Sequence, residues 1–469
     1  MSKENLGIFQ YDKFFYKALL AIAIPVILQN LVGSMLNMVD SVMVGGLGKE
    51  PLAAVGIANQ IFFIFALVLF GINASLSVFI AQFWGRKSML EIKQAIGIGL
   101  IFSFMFSIVF MTLACWIPQT FIGIFTNDPV VIKLGADYLR IVAIGYPLTA
   151  ISMVYSVGLR SIEKPVYPLI SSVMSLLLNT ILNYIFIYGK FGFPMLGVKG
   201  AAIATVIARI LEVTLILTMV YRWNLAVSCK IKDVLRIERQ FIMSIVKVAI
   251  PIISNESLWV LGTSAFAVVY GRMGTDELAS YNIVQTLDKI AFVAILGLGN
   301  ACAVLVGKQI GEGRKDKAYV YAARANVLAP FIGIAIGCII LLVKNPILSL
   351  YDVPEVVKDY AGILIGLTAL ITVIRSMNFT NLMGVLRAGG DANFVLALEA
   401  LPLWLISVPL TVFCGLYLHL PLPLVFLISQ SEEVIKCVLG YIRFFSKKWI
   451  RDIVPDKREV FIEELSVMQ

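Results

Sequence analysis

Asp40 is the only charged side chain between Ala18 and Gly48, in a run that reads ALLAIAIPVILQNLVGSMLNMVDSVMVGGLG. A carboxylate at bilayer depth costs a few kcal/mol or more, so such groups usually face a wet cavity and handle an ion, a proton or a cationic ligand. Lys49, in the loop that follows, lies about 13 Å further along a helix, which places Asp40 inside the span and away from its end. Asn37 lies one turn earlier on the same face. A second apolar segment, SLLLNTILNYIF, carries Asn179 and Asn183 at i, i+4, and a third carries Thr205. One carboxylate with amide and hydroxyl oxygens suits a hard monovalent cation such as Na+, by extension from the oxygen preference of hard ions. The same acid could carry a proton instead. The rival reading is that the asparagines and the threonine bridge helices by hydrogen bonds.

The second half of the chain has its own acids in apolar surroundings, Glu256 in PIISNESLWV and Glu399 in FVLALEALPLW, each near a tryptophan, Trp259 and Trp404. A carboxylate beside an aromatic face can hold an organic cation by charge and by cation–π attraction. Glu256, Trp259, Glu399 and Trp404 are therefore candidates for a cationic solute, with Asn255 and Gln285 as polar partners. The competing expectation pairs Glu256 and Glu399 with Lys289 or Arg375. Asp137 with Arg140, and Arg209 with Glu212, stand at i, i+3 as self-neutralising pairs would.

These residues need a membrane scaffold. The chain of 469 residues is 59% hydrophobic and only 14% charged, which excludes an ordinary soluble globular protein. At about 20 apolar residues per span the pattern predicts twelve helices, starting near residues 18, 52, 94, 133, 166, 199, 245, 278, 320, 358, 394 and 421. The fold class is all-α and polytopic, because the runs are long and continuous where a barrel would show short alternating segments. The formal charge of +9 does not indicate nucleic acid. Its Lys and Arg gather at the two termini and in the even-numbered loops, which predicts a multi-pass cell-membrane protein with both termini cytoplasmic. Six cysteines show no paired metal spacing, so no disulfide, metal cluster or organic cofactor is expected. A single loop histidine, His419, and the lack of a nucleophile–base motif argue against an enzyme.

The sequence repeats. Ala23-Ile24-Pro25 matches Ala249-Ile250-Pro251, Gly45 matches Gly271, Gly85 matches Gly311 and Gly189 matches Gly415, all at one offset. An internal duplication predicts two pseudo-symmetric six-helix bundles: a cytoplasmic segment 1–17, a first lobe 18–223, a cytoplasmic loop 224–244, a second lobe 245–445 and a cytoplasmic tail 446–469. Pro25 and Pro251 sit early in the first helix of each half, where each removes a backbone hydrogen bond and is a hinge candidate. Asp40 has no counterpart, since its repeat position is Phe266.

Several segments match one known pattern: VDSVMVGGLGKEPLAAVGIANQ, GLRSIEKPVYP, NTILNYIFIYG, GVKGAAIATVIA and VLRAGGDAN. With the duplication, the chain resembles the multidrug and toxic compound extrusion (MATE) family over about residues 15 to 450. The resemblance implies a twelve-helix, two-lobe antiporter that exports cationic or amphipathic organic compounds in exchange for Na+ or H+. It also implies a first-lobe cation site at Asp40, Asn179, Asn183 and Thr205, with Glu256 as the second-lobe acid. Asn183 stands where some members have a second acid. A monomer with small-molecule solutes and the lipid bilayer as its partners is expected. The alternative is a lipid or lipid-linked oligosaccharide flippase of related fold, which would want a basic cavity for pyrophosphate.

Overall fold

The structure, a computed structural model, describes residues 12–235 and 237–453, with Ile290 through its backbone alone. No strand occurs among the described residues. The helices used below are α1 (Lys13–Gly45), α2 (Lys49–Arg86), α3 (Met89–Trp116), α4 (Pro118–Gly123), α5 (Pro129–Ala143), α6 (Tyr146–Ser161), α7 (Val166–Tyr188), α8 (Val198–Arg222) and the short α9 (Ile231–Val234). The second half continues with α10 (Arg239–Met273), α11 (Thr275–Gly311), α12 (Lys315–Leu348), α13 (Glu355–Phe379), α14 (Ala392–Pro402), α15 (Val408–Val412), α16 (Leu422–Ser429) and α17 (Ser431–Phe445).

Among the described residues, ten helical stretches are each long and apolar enough to cross a bilayer, and α5 with α6, bent by 50°, makes an eleventh when the pair is counted as one span. The break at Ile144 and Gly145 precedes Pro147, which cannot extend a backbone ladder. The last expected span, from near residue 421, falls on α16 and α17 and is interrupted at Gln430. Its second half is polar, because Glu432 and Lys436 pair there in burial at 3.1 Å.

Local chemistry explains the boundaries. Asp12 Oδ1 accepts the Phe14 and Phe15 amides at 3.0 and 3.1 Å, so α1 starts earlier than the apolar run alone suggests. Asp128 caps α5 in the same way, with Pro129 at the first helical position. Pro25 and Pro251 lie inside uninterrupted helices. Among the described residues three widened π-helical stretches occur: Thr380–Arg387 after α13, Leu403–Ser407 after α14, and Phe413–Tyr417 after α15. Two of them follow Pro402 and Pro409 closely, whose missing N–H groups free a carbonyl in the preceding turn.

The chain gathers into two compact units. One comprises Ile24–Ile80 and Ser88–Ile245. Phe62, Phe65, Phe106, Phe110 and Tyr146 interlock in its core, with Phe65 and Tyr146 stacked at 4.7 Å. Along α7, Ser171, Ser175, Asn179 and Asn183 form a buried ridge one turn apart. The ridge meets small residues of α8, Ala201, Ala204 and Ala208, whose size lets the backbones approach. Ser175 Oγ donates to the Ala208 carbonyl at 3.0 Å across that interface.

The other unit comprises Ala81–Lys87 and the described parts of Met1–Ala23 and Val246–Gln469. Here the last turn of α2 crosses the last turn of α11 at Gly85 and Gly311, the pair equated by the repeat. A Cβ on Gly85 would strike the Lys308 carbonyl, and one on Gly311 the Gln82 carbonyl. Gln82 is fully buried, donates to the carbonyls of Ala388 and Arg451 at 3.4 Å, and accepts the Ile453 amide at 3.3 Å. Arg324, also buried, holds Asp12 at 2.7 Å.

Candidate functional site

Asp40, on α1, is 5% exposed. Its Oδ1 accepts the side-chain amide of Asn183 at 2.5 Å. That amide group also donates to Asn179 Oδ1 at 3.0 Å, and Asn179 donates in turn to Thr205 Oγ1 at 3.3 Å. The four residues inferred from polarity and spacing thus form one continuous chain across α1, α7 and α8. Thr205 anchors it, donating to the Ala201 carbonyl at 3.0 Å. With both of its N–H groups used, the amide oxygen of Asn183 is buried without a partner. An orphaned buried acceptor beside a carboxylate is costly unless something positive or a water completes it.

A small cavity of about 30 Å³ opens beside Asp40. It has room for a water or a small ion, since about 10–15 Å³ is enough for one water. Asn37 and Thr205 line it as well, so Asn37 belongs to the site by position, without a side-chain hydrogen bond to Asp40. Tyr138, Tyr146, Thr149, Asn59 and Arg209 complete its polar lining. The Tyr146 hydroxyl is a second buried polar atom without a partner. Of the cavity's lining, Asp40 and Thr205 supply oxygens of the hard kind that a monovalent cation takes, while Asn183 touches the site through Asp40.

Arg209 is the residue that sequence reasoning undervalued. Its pairing with Glu212 is present, at 2.7 Å. The same guanidinium also lines the Asp40 cavity and lies within electrostatic reach of that carboxylate. Thr205, Arg209 and Glu212 stand at i, i+4, i+7 on one face of α8, a spacing readable in the sequence. Glu212 accepts from Ser172 at 3.2 Å, and Ser172 from Gln29 at 3.4 Å, so the polar network runs back to α1. Asp137 departs from expectation. Its partner is Lys199 of α8 at 3.2 Å and not Arg140, which points outward on α5.

In the second half, Glu256 pairs with Arg387 at 3.0 Å. This corrects the expected pairing with Lys289 or Arg375. The π-helical stretch after α13 carries Arg387 inward, while Arg375 is held by Asp288 at 2.7 Å and Glu433 at 3.8 Å, and Lys289 is exposed. Glu399 accepts from Asn255, and stands within electrostatic reach of Lys436, Arg387 and Glu256. The two acids therefore belong to one charged cluster. Trp404 donates its indole N–H to the Leu258 carbonyl at 3.2 Å, which ties α10 to the segment after α14. Trp259 is 40% exposed on α10, and Gln285 is half-buried on α11, one turn from Tyr281.

The MatE family model matches residues 25–185 and 251–413, one stretch in each half of the repeat. A probable multidrug resistance protein NorM of Thermotoga maritima is 22% identical over 452 residues, covering 95% of both chains. A multidrug resistance protein MdtK of Cronobacter sakazakii is 26% identical over 415 residues, covering 86% of this chain and 89% of its own. Among solved structures, the crystal structure of MATE in the bent conformation superposes with a TM-score of 0.84 at 21% identity, covering 96% of this chain and 99% of its own.

Proposed function

The chain belongs to the MatE family, and on that premise we propose that it is a secondary active efflux antiporter. It exports cationic or amphipathic organic compounds across the cell membrane, both termini cytoplasmic, in exchange for Na+ or H+. One observation carries this reading: a single buried carboxylate, Asp40, is held in a polar chain beside a cavity of ion size and next to an unpartnered amide oxygen.

Asp40 supplies the charge, and Asn183 Oδ1, Asn179 Oδ1 and Thr205 Oγ1 supply neutral oxygens for Na+. A proton would need only the carboxylate. Binding energy becomes transport only if the cation binds one access state more tightly than the other, so its entry shifts the conformational equilibrium and the solute is expelled. Arg209 opposes a cation at Asp40, and Glu212 tempers that opposition. Such balance keeps the site from holding its ion too tightly to release it.

Glu256 and Glu399 are the second half's candidates for a cationic solute, with Trp259 and Trp404 beside them and Asn255 and Gln285 as polar neighbours. A solute there competes with Arg387 and Lys436 for the carboxylates. The flippase alternative calls for a basic cavity, and a cavity built on a carboxylate does not favour it.

Purified protein in liposomes loaded with a fluorescent organic cation tests this reading, with Na+ and pH gradients imposed separately. Efflux driven by one of the two gradients is expected. Flux that neither gradient moves would overturn the antiporter assignment.

A further inference from the structure

The geometry points to a bound anionic phospholipid on the outer surface of the second half, with one acyl chain seated in the groove between α14 and α17 and its phosphate on Lys448 and Arg443. The groove is a concavity of about 550 Å³. Leu401, Leu405, Leu439 and Ile442 form its walls, and three of them are more than half exposed. In a membrane protein such a surface meets hydrocarbon, and a bilayer lipid is the occupant whose chemistry fits both of its ends.

Dimensions and charge argue for this occupant. From Phe394 to Ile406 the groove runs about 18 Å at helical rise. That is roughly one leaflet of a hydrocarbon core about 30 Å thick, so it fits one lipid chain and not a spanning element. Pro402, Leu405 and Ile406 line it, and the next residue, Ser407, ties the π-helical stretch to α17 by accepting the Glu432 amide at 3.0 Å and pairing with the Ser431 hydroxyl at 3.0 Å. The end opposite Ile406 is basic. Arg443 and Lys448 line it directly, and Arg451 stands beside them.

Their anionic neighbour is Asp391, which is buried and shared between Arg443 at 2.7 Å and Arg451 at 3.1 Å. One carboxylate between two guanidiniums leaves cationic charge over. Lys448 is exposed and holds no ion pair among the described residues. The Arg443 guanidinium is also stacked over the Phe394 ring at 4.7 Å, which fixes its direction at the groove's mouth. Basic pockets at the ends of membrane helices recognise anionic head groups in this manner.

Native mass spectrometry of the full-length protein, delipidated and then exposed to equal phosphatidylglycerol and phosphatidylcholine, tests the assignment. Wild type is expected to retain one phosphatidylglycerol in preference to phosphatidylcholine by roughly tenfold or more. Lys448→Glu, at an exposed position, brings the ratio to near parity. Leu405→Trp, which fills the groove and leaves the charges in place, lowers retention of both lipids. Melting temperatures of both variants in detergent confirm that each is folded. Parity in the wild type, or a preference unmoved by Lys448→Glu, would overturn the head-group site. A preference lost in Lys448→Glu but retention untouched by Leu405→Trp would reduce it to anion adsorption, without a seated chain.

Discussion

Asn183 donates to Asp40 at 2.5 Å while its own amide oxygen, buried, has no partner. The amide therefore steadies the carboxylate while keeping a buried acceptor of its own unanswered beside it. Asn183→Leu removes both and leaves Asp40 buried without its donor, at a cost of about 1–3 kcal/mol. A lower melting temperature together with weakened gradient-driven efflux is expected; an unchanged melting temperature would show that the bond contributes nothing to the fold.

Thr205 is the outer end of the same chain and holds a neutral bond. Thr205→Val keeps the shape and loses the hydroxyl, so its effect on stability is smaller, about 0.5–1.5 kcal/mol. If Na+ is the ion, its apparent affinity in the efflux assay also falls. If H+ is the ion, the proton dependence stays near that of wild type, and comparing the two dependences distinguishes the cases.

Arg209 lines the cavity with Asp40 and holds Glu212 at 2.7 Å. In Arg209→Gln the positive charge beside Asp40 disappears, and cations are held more tightly there. The half-saturating concentration of the coupling ion should fall severalfold, with slower turnover because release becomes harder. A rise in that concentration would contradict the assignment of the cavity as the cation's.

Glu256 and Arg387 form a largely buried pair at 3.0 Å. Arg387→Met leaves an uncompensated carboxylate and should destabilise by on the order of 3 kcal/mol. Adding Glu256→Gln should restore part of that loss, because Arg387's direct partner is then neutral while Glu399 keeps only Lys436 within reach. Thermal unfolding in detergent reads both changes.

Gly85 and Gly311 cross with no space for a side chain. Either glycine replaced by alanine forces the α2 and α11 ends apart, at about 1–3 kcal/mol. Melting temperatures of the two single variants should fall together, and the double variant should fall by less than the sum, since one separation relieves both clashes.

Much of the first-half site is readable from residue types alone. Asp40, Asn179, Asn183 and Thr205 stand out as polar groups on apolar helices, and the i, i+4 spacing of the asparagines sets them on one face. Arg209 was obscured because its i+3 acid already accounts for its charge, and a pairwise reading stops once charges balance. In the second half, the partner of Glu256 depended on backbone geometry. Arg387 sits in VLRAGGDAN, which reads as a loop, whereas the π-helical stretch Thr380–Arg387 continues α13 and turns the guanidinium inward. The interruption at Gln430 was hidden for a related reason: hydropathy averages over Glu432 and Lys436, whose mutual pairing makes their burial tolerable.

The central claim is that Asp40 couples cation entry to solute exit. Efflux of a fluorescent organic cation from proteoliposomes, for wild type and Asp40→Asn under the driving gradient, tests it most directly, with gradient-free solute exchange recorded alongside. The account predicts that Asp40→Asn loses gradient-driven efflux by roughly tenfold or more while gradient-free exchange persists, because the solute still crosses but the ion no longer biases the equilibrium. Gradient-driven efflux equal to wild type in Asp40→Asn would contradict it.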